Sequence, residues 1–85
     1  MPKARVTLFT RPGCHLCEEA RQQILAAGCT EDYTLEEVNI DSHPALKSLY
    51  GTDIPVVAIN GLEAFRHRLT SEDFRRKLQS LTAAP

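Results

Sequence analysis

The stretch RVTLFTRPGCHLCEEARQQILAAG, residues 5–28, decides the fold of this 85-residue chain. Its first six residues present apolar side chains on two faces, as a central strand does when both sides of a sheet are covered. A Pro-Gly pair at residues 12–13 breaks that strand. Residues 15–27 then have a helical pattern, which stops at Gly28. The predicted buried face of this helix contains Cys17, Ala20, Ile24 and Ala27.

A second strand is predicted within LEEVNID, residues 35–41, where Val38 and Ile40 share one face. Its distance from the first strand fits a right-handed βαβ crossover. We therefore expect the two strands to be parallel.

A short helix follows the second strand. Asp41 or Ser42 is positioned to cap it, Pro44 suits its first turn, and Gly51 ends it. The residues that we expect to face inward are Leu46, Leu49 and Tyr50.

The C-terminal third predicts a hairpin and a final helix. PVVAINGLEAFR, residues 55–66, contains two strands joined at Asn60 and Gly61, since both residues tolerate the positive φ of a type I′ turn. The last helix begins at Thr70, whose hydroxyl is a helix cap. Its predicted buried residues are Phe74, Leu78 and Leu81. The order β-α-β-α-β-β-α indicates an α/β layout, a mixed four-stranded sheet with helices on both faces.

Length and composition limit the possible functions. A chain of 85 residues fits one domain, so residues 1–85 are predicted to form a single unit with a frayed tail at 82–85. A net charge of -1 and a pI near 6.3 favour neither nucleic acid nor a membrane as partner. The chain has no long apolar run, and we expect a cytoplasmic monomer.

Two cysteines three positions apart, Cys14 and Cys17, carry the chemistry that the sequence suggests. In a reducing compartment a close pair indicates redox catalysis or metal ligation. Cys14 lies where the first helical turn begins, so its thiolate is expected to be stabilised and to titrate below about 8.5. Cys17, one turn further, is expected to be more buried and to resolve a mixed disulfide formed at Cys14. Their spacing suits the roughly 4.4–6.8 Å between Cα atoms of a disulfide.

Three segments carry a resemblance to a known family. They are LFTRPGCHLCEEA at residues 8–20, DIPVV at residues 53–57 and NGLEAFRHRLTSEDFRRKL at residues 60–78. With these segments the chain resembles small glutaredoxin-like proteins of the thioredoxin superfamily. The resemblance implies a thioredoxin-like fold and a thiol-disulfide oxidoreductase of cell redox homeostasis.

The resemblance also implies roles for residues away from the cysteine pair. The peptide bond before Pro55 is expected to be cis, and Ile54 and Pro55 are expected to position the substrate. Arg11 is a further candidate for substrate binding. Independently of the resemblance, His15 either modulates the nucleophile through its charge or faces solvent with no specific role. The expected substrates are disulfide-containing proteins or glutathione mixed disulfides, with no tightly bound cofactor and with glutathione as a possible co-substrate.

One segment departs from the family pattern. Typical glutaredoxins have a Gly-Gly pair where this chain has FRHRL, residues 65–69. The bulk of this segment predicts weak glutathione binding unless Arg66 or Arg68 turns outward to hold a carboxylate. The sequence leaves open whether glutathione or thioredoxin reductase supplies the electrons.

Two other functions remain open. The cysteine pair could be half of a zinc site, with Cys29, His43 and His67 as spare ligands. It could also ligate an iron-sulfur cluster across a dimer, as some glutaredoxin-like proteins do. The chain could also be a redox-inactive adaptor with the same fold. We assign no metal-binding residue, because a metal site needs a second close pair and the sequence contains none. Cys29 is expected to be a non-catalytic thiol.

Overall fold

A computed structural model describes residues 3–82 of the chain. Its strands are β1 (Ala4–Thr10), β2 (Tyr33–Asn39), β3 (Val56–Ile59) and β4 (Leu62–Arg66). Its helices are α1 (His15–Ala26), α2 (Pro44–Tyr50) and α3 (Ser71–Thr82). The last helix ends at Thr82, the first residue of the predicted tail. The rest of that tail, residues 83–85, lies outside the described residues.

The four strands form one mixed sheet in the order β2-β1-β3-β4. β1 and β2 are parallel, whereas β3 pairs antiparallel with both β1 and β4. The predicted element order, crossover and mixed sheet are thus confirmed. Because β1 is central, its C-terminal end lies inside the sheet, and the cysteine-bearing turn leaves the sheet from there.

The main core fills the side of the sheet covered by α1 and α3. Its members include Val6, Leu8, Ile24, Val57, Ile59, Phe74 and Leu78, each with at most 1% of its surface exposed. The predicted buried faces of both helices are confirmed, with Leu81 only partly buried. On the opposite side of the sheet, Phe9 packs against Tyr50 of α2 with ring centroids 4.8 Å apart. Helices therefore cover both faces, as the pattern predicted.

The turns follow the predicted signals at several positions. Gly28, which follows the C-terminal end of α1, has a φ of +74°. Asn60 and Gly61 have φ values of 52° and 82°, so the predicted type I′ hairpin is confirmed. The hydroxyl of Thr70 accepts a hydrogen bond from the Asp73 N–H at 3.1 Å and caps α3 as expected.

The segment after β2 differs from the prediction. Ile40 is not a strand residue; it begins a 3₁₀ turn that extends to Ser42. Neither Asp41 nor Ser42 caps α2, because the residue before that helix is His43, whose side chain makes no capping hydrogen bond. His43 is extended, with φ of -135°, as sterics require of a residue that precedes proline.

Leu49 was expected to face inward, but 58% of its surface is exposed. The helix α2 has only seven residues and buries none of them fully. Leu46 and Tyr50 lie four positions apart on one face and are half-buried, while Leu49 projects from another side of the helix. The prediction for Leu49 is therefore wrong. No helix within residues 3–82 is long and apolar enough to cross a membrane.

Candidate active site

The two cysteines of the CxxC motif meet at the N-terminus of α1. Their sulfur atoms lie at disulfide-bonding distance, and their Cα atoms are 5.2 Å apart. Cys14 is the N-cap residue of the helix, and its sulfur accepts a hydrogen bond from the backbone N–H of Cys17 at 3.2 Å. The predicted helix-terminus position of the pair is thus observed. A sulfur at the N-cap receives a donor that would otherwise lack an intrahelical partner.

The two sulfur positions differ in accessibility. Cys14 is half-buried, whereas only 3% of the surface of Cys17 is exposed. Gly13, with a φ of +79°, supplies the backbone turn that delivers Cys14 to the helix end. A partner molecule can therefore approach Cys14 more readily than Cys17.

Arg11 braces the loop that carries Cys14. Its guanidinium Nη2 lies 3.2 Å from Oδ1 of Asp41, and Nη1 donates a 3.5 Å hydrogen bond to the carbonyl of Gly51. The carbonyl of Arg11 accepts a 3.3 Å hydrogen bond from the N–H of Cys14. Arg11, which was predicted to bind substrate, is thus bound to its own chain. It connects the cysteine loop to Asp41, just before α2, and to Gly51, just after it.

The segment at Ile54 and Pro55 lies beside the end of β1. The sheet register pairs Phe9 with Val56, which places Pro55 next to the strand end that leads to the cysteines. The peptide bond before Pro55 is cis, Pro55 is fully buried and Ile54 is half-buried. The carbonyl of Pro55 accepts a 2.8 Å hydrogen bond from the backbone of His67. The structure therefore brings the cysteine loop, the proline segment and the loop after β4 to one edge of the domain.

The side chain of Arg66 is held by two carboxylates. Its Nη1 lies 2.6 Å from Oδ2 of Asp53, and its Nη2 lies 2.7 Å from Oε1 of Glu63. The guanidinium also lies over the ring of Tyr50, 5.9 Å from the centroid. The hydrogen bond from Arg66 lowers the pKa of Glu63, and the same bond raises the pKa of Arg66. Arg66 is thus turned toward its own chain.

The other predicted site residues are separated from the sulfur atoms or engaged elsewhere. His15 is well exposed, and its Nε2 lies 3.6 Å from Oε1 of Glu19 on the next turn of α1. Cys29 follows the far end of α1, where its thiol donates a 3.5 Å hydrogen bond to the carbonyl of Ala27. Within the described part of the chain, no group of three or more His, Cys, Asp and Glu residues could hold a metal ion.

Sequence reasoning missed the acidic partners of the site. Asp41 was considered only as a helix cap and Asp53 was not considered, yet they pair with Arg11 and Arg66. Asp53 immediately precedes Ile54, and this closeness to the Ile-Pro pair was the available signal. Arg11 is 30 residues from its aspartate in sequence, and Arg66 is 13 residues from its own. No local sequence pattern could therefore predict either ion pair.

Comparison with known proteins identifies the family of this domain. Residues 5–79 match the model of the Glutaredoxin-like domain (DUF836). The chain is 30% identical to the Glutaredoxin-like protein YDR286C homolog of Dictyostelium discoideum, over 89% of this chain and 76% of that protein. The family match thus includes both cysteines, the proline segment and the loop after β4.

Solved structures show the same fold. The X-ray structure of target protein XcR50 from X. campestris is 30% identical, covers 94% of this chain and 99% of its own, and gives a TM-score of 0.75. A thioredoxin from Halobacterium salinarum is 16% identical, with coverage of 98% and 78% and a TM-score of 0.71. The likeness to thioredoxin at that identity shows the fold alone.

Proposed function

Because the chain belongs to the glutaredoxin-like domain family, we propose that it is a thiol-disulfide oxidoreductase that reduces disulfides through the Cys14–Cys17 dithiol. The observation that supports this most directly is the hydrogen bond from the Cys17 N–H to the sulfur of Cys14. A donor and a helix N-terminus aimed at one sulfur favour its thiolate, which is the species that attacks a disulfide.

The reaction begins from the reduced pair. The Cys14 thiolate attacks one sulfur of a substrate disulfide, the substrate S–S bond breaks, and the departing substrate thiolate takes up a proton. Cys17, after losing its proton, attacks the sulfur of Cys14 in the mixed disulfide, which releases the second substrate thiol. Two electrons have then passed to the substrate, and the Cys14–Cys17 disulfide has formed. A thiol or dithiol reductant must return two electrons and two protons.

We propose that this reductant is a dithiol protein rather than glutathione. Arg66 and Arg68 were the candidates to hold a glutathione carboxylate. Asp53 and Glu63 already neutralise Arg66, so Arg68 is the candidate that is left. Arg11 is likewise paired with Asp41. A free tripeptide acid would have to displace these internal carboxylates to bind Arg66 or Arg11.

Other properties in the proposal follow from the chemistry. Thiol-disulfide exchange needs no bound metal or organic cofactor. We propose protein disulfides as substrates, with Ile54 and Pro55 positioning the segment under attack. A chain whose function needs a reduced cysteine pair suits a reducing compartment, so we propose a cytoplasmic protein that acts as a monomer.

Single-cysteine variants test the proposal. Cys14→Ser should abolish reduction of a protein disulfide. Cys17→Ser should accumulate a mixed disulfide with the substrate, which intact-mass spectrometry detects. Cys29→Ser is the matched control and should retain full activity. Turnover that survives in Cys14→Ser would exclude the proposed nucleophile.

The electron donor is tested in the same assay. Reduction of the substrate is followed with glutathione and its reductase, and separately with a thioredoxin and thioredoxin reductase. We expect faster turnover with the second system. Metal analysis and the visible spectrum of freshly purified protein test the alternative of a metal or iron-sulfur protein, for which a stoichiometric metal content would count.

A further inference from the structure

A cavity of about 270 Å³ lies between α1 and the loop that joins β4 to α3. Leu16, Ala20 and Gln23 line it on the helix side, and Arg68 and Leu69 line it on the loop side. Leu16 lies in the first turn of α1, whose N-cap residue is Cys14, so one end of the cavity is within one helical turn of the cysteine pair. Cys14 itself lines a separate cavity on the β2 side of α1. A polypeptide attached to Cys14 reaches the first cavity only if it extends along α1 past Leu16.

The dimensions of the cavity suit part of a polypeptide. The seven-residue step from Leu16 to Gln23 along α1 corresponds to about 10 Å, which about three residues of extended chain would span. The volume is slightly below the roughly 300–1,000 Å³ of pockets that enclose whole small ligands. It is better suited to one or two side chains of a segment that crosses the surface.

The side chains that line the cavity and can carry charge are Glu19, His67 and Arg68. Arg66 is paired with Asp53 and Glu63, which removes the neighbouring cation of the same loop. On the cavity rim, Glu19 lies 3.6 Å from Nε2 of His15. Within residues 3–82, Arg68 has no ion-pair partner. The cavity thus combines a guanidinium that has no ion-pair partner in the described residues with a rim carboxylate, Glu19, and the apolar side chains of Leu16, Ala20 and Leu69.

We infer that this cavity binds an acidic side chain of the protein substrate, with Arg68 as the residue that recognises its carboxylate. The acidic residue would lie within about three positions of the attacked cysteine, because this is the length of extended chain that crosses the cavity. Leu16 and Leu69 contact the apolar part of the same segment. This inference rests on the proposed disulfide reduction and adds the chemical class of substrate to it.

Two matched peptides test the inference. Each carries one intramolecular disulfide, and they differ only in having glutamate or glutamine at the positions flanking the cysteines. The second-order rate constant for reduction by the pre-reduced full chain is measured at low ionic strength. We expect the glutamate peptide to react about 1.4- to fivefold faster, the range of a partly exposed charge pair. Added salt should shrink the difference.

Arginine substitutions assign the effect to the cavity. Arg68→Gln should remove the preference, so that the variant reduces the glutamate and glutamine peptides at equal rates. Arg76→Gln, which removes the same charge from the exposed side of α3, is the matched control and should keep the preference. Glu19→Gln should increase the preference, since it removes a rim carboxylate. If Arg68→Gln and Arg76→Gln lower the preference for the glutamate peptide equally, the preference reflects only the net charge of the protein. That result would overturn the inference.

The remaining outcomes are distinct. If both peptides are reduced at equal rates by the unmodified chain, the inference is wrong and the proposed function stands. If neither peptide is reduced, the proposed function itself fails. If oxidised glutathione reacts faster than the glutamate peptide, and Arg68→Gln removes that advantage, the cavity is a glutathione site and the inference is overturned.

Discussion

Nη1 of Arg66 lies 2.6 Å from Oδ2 of Asp53, the residue directly before the Ile54–Pro55 pair. In the sheet, Arg66 is the cross-strand neighbour of Val56, the residue after that pair. The ion pair therefore joins the two sides of the proline segment. A second carboxylate, that of Glu63, binds the same guanidinium at 2.7 Å. This arrangement holds in place the Ile54–Pro55 segment that we propose positions the substrate. It also neutralises the positive charge of Arg66.

The contact between Arg66 and Glu63 predicts a measurable titration. The hydrogen bond from Arg66 lowers the pKa of Glu63 from its ordinary value of 4.5. A lowered pKa means that the contact stabilises the folded protein above pH 4.5 and that this contribution is lost as the pH falls through the lowered value. NMR titration of the Glu63 carboxyl carbon should give a midpoint below 4.5.

Arg66→Gln should return the Glu63 midpoint toward its ordinary value. Arg76→Gln, which breaks the separate contact with Glu72, should leave it in place. An unchanged Glu63 midpoint in Arg66→Gln would show that the arginine does not hold this carboxylate in solution.

The unequal exposure of the two cysteines predicts the order in which they are alkylated. In the reduced protein at pH 7, iodoacetamide should modify Cys14 before Cys17, because Cys14 is accessible and accepts a helix N–H while Cys17 is 3% exposed. Peptide mapping after brief labelling measures both rates, and Cys29→Ser removes the third thiol from the comparison. Faster modification of Cys17 would reverse the roles assigned to the pair.

The ion pair between Arg11 and Asp41 predicts that substitutions at these two positions have non-additive effects on the free energy of unfolding. Their side chains are 31% and 41% exposed, and pairs of this kind contribute about 0.2–1 kcal/mol. Arg11→Gln and Asp41→Asn should each lower the free energy of unfolding in urea. The double variant should lose less than the sum of the two, which defines the coupling energy. If the losses in the two single variants add up to the loss in the double variant, the ion pair does not stabilise the folded protein.

The core under α3 predicts the largest loss of stability. Phe74 is 0% exposed and contacts the ring of Tyr33 edge-on, with centroids 5.5 Å apart. Phe74→Ala should lower the free energy of unfolding by about 3–5 kcal/mol, a large part of the total for a small domain. Leu62→Ala, at a position that is 62% exposed, is the control and should change it by less than about 0.5 kcal/mol. Similar losses in both variants would contradict this assignment of the core.

Local signals in the sequence were sufficient for most of the fold. Apolar spacing predicted the buried face of α1, and the Asn60-Gly61 pair predicted the hairpin, because each feature depends on residues only a few positions apart. The pattern failed around Ile40 and Leu49. There the chain leaves a strand, forms a 3₁₀ turn and enters a helix of seven residues, so the tertiary contact with Phe9 decides which side faces inward.

The sequence by itself determined the family, the cysteine pair and its position at a helix end, because each of these can be recognised from a short motif. Only the tertiary structure decided which arginines are paired with a carboxylate of the same chain. Arg11 and Arg66 were equally available to a substrate when judged from sequence, but the fold pairs them with Asp41 and Asp53. Arg68 remains without an ion-pair partner within residues 3–82. Charge pairing depends on distances of about 4 Å between side chains far apart in sequence, and no local pattern encodes those distances.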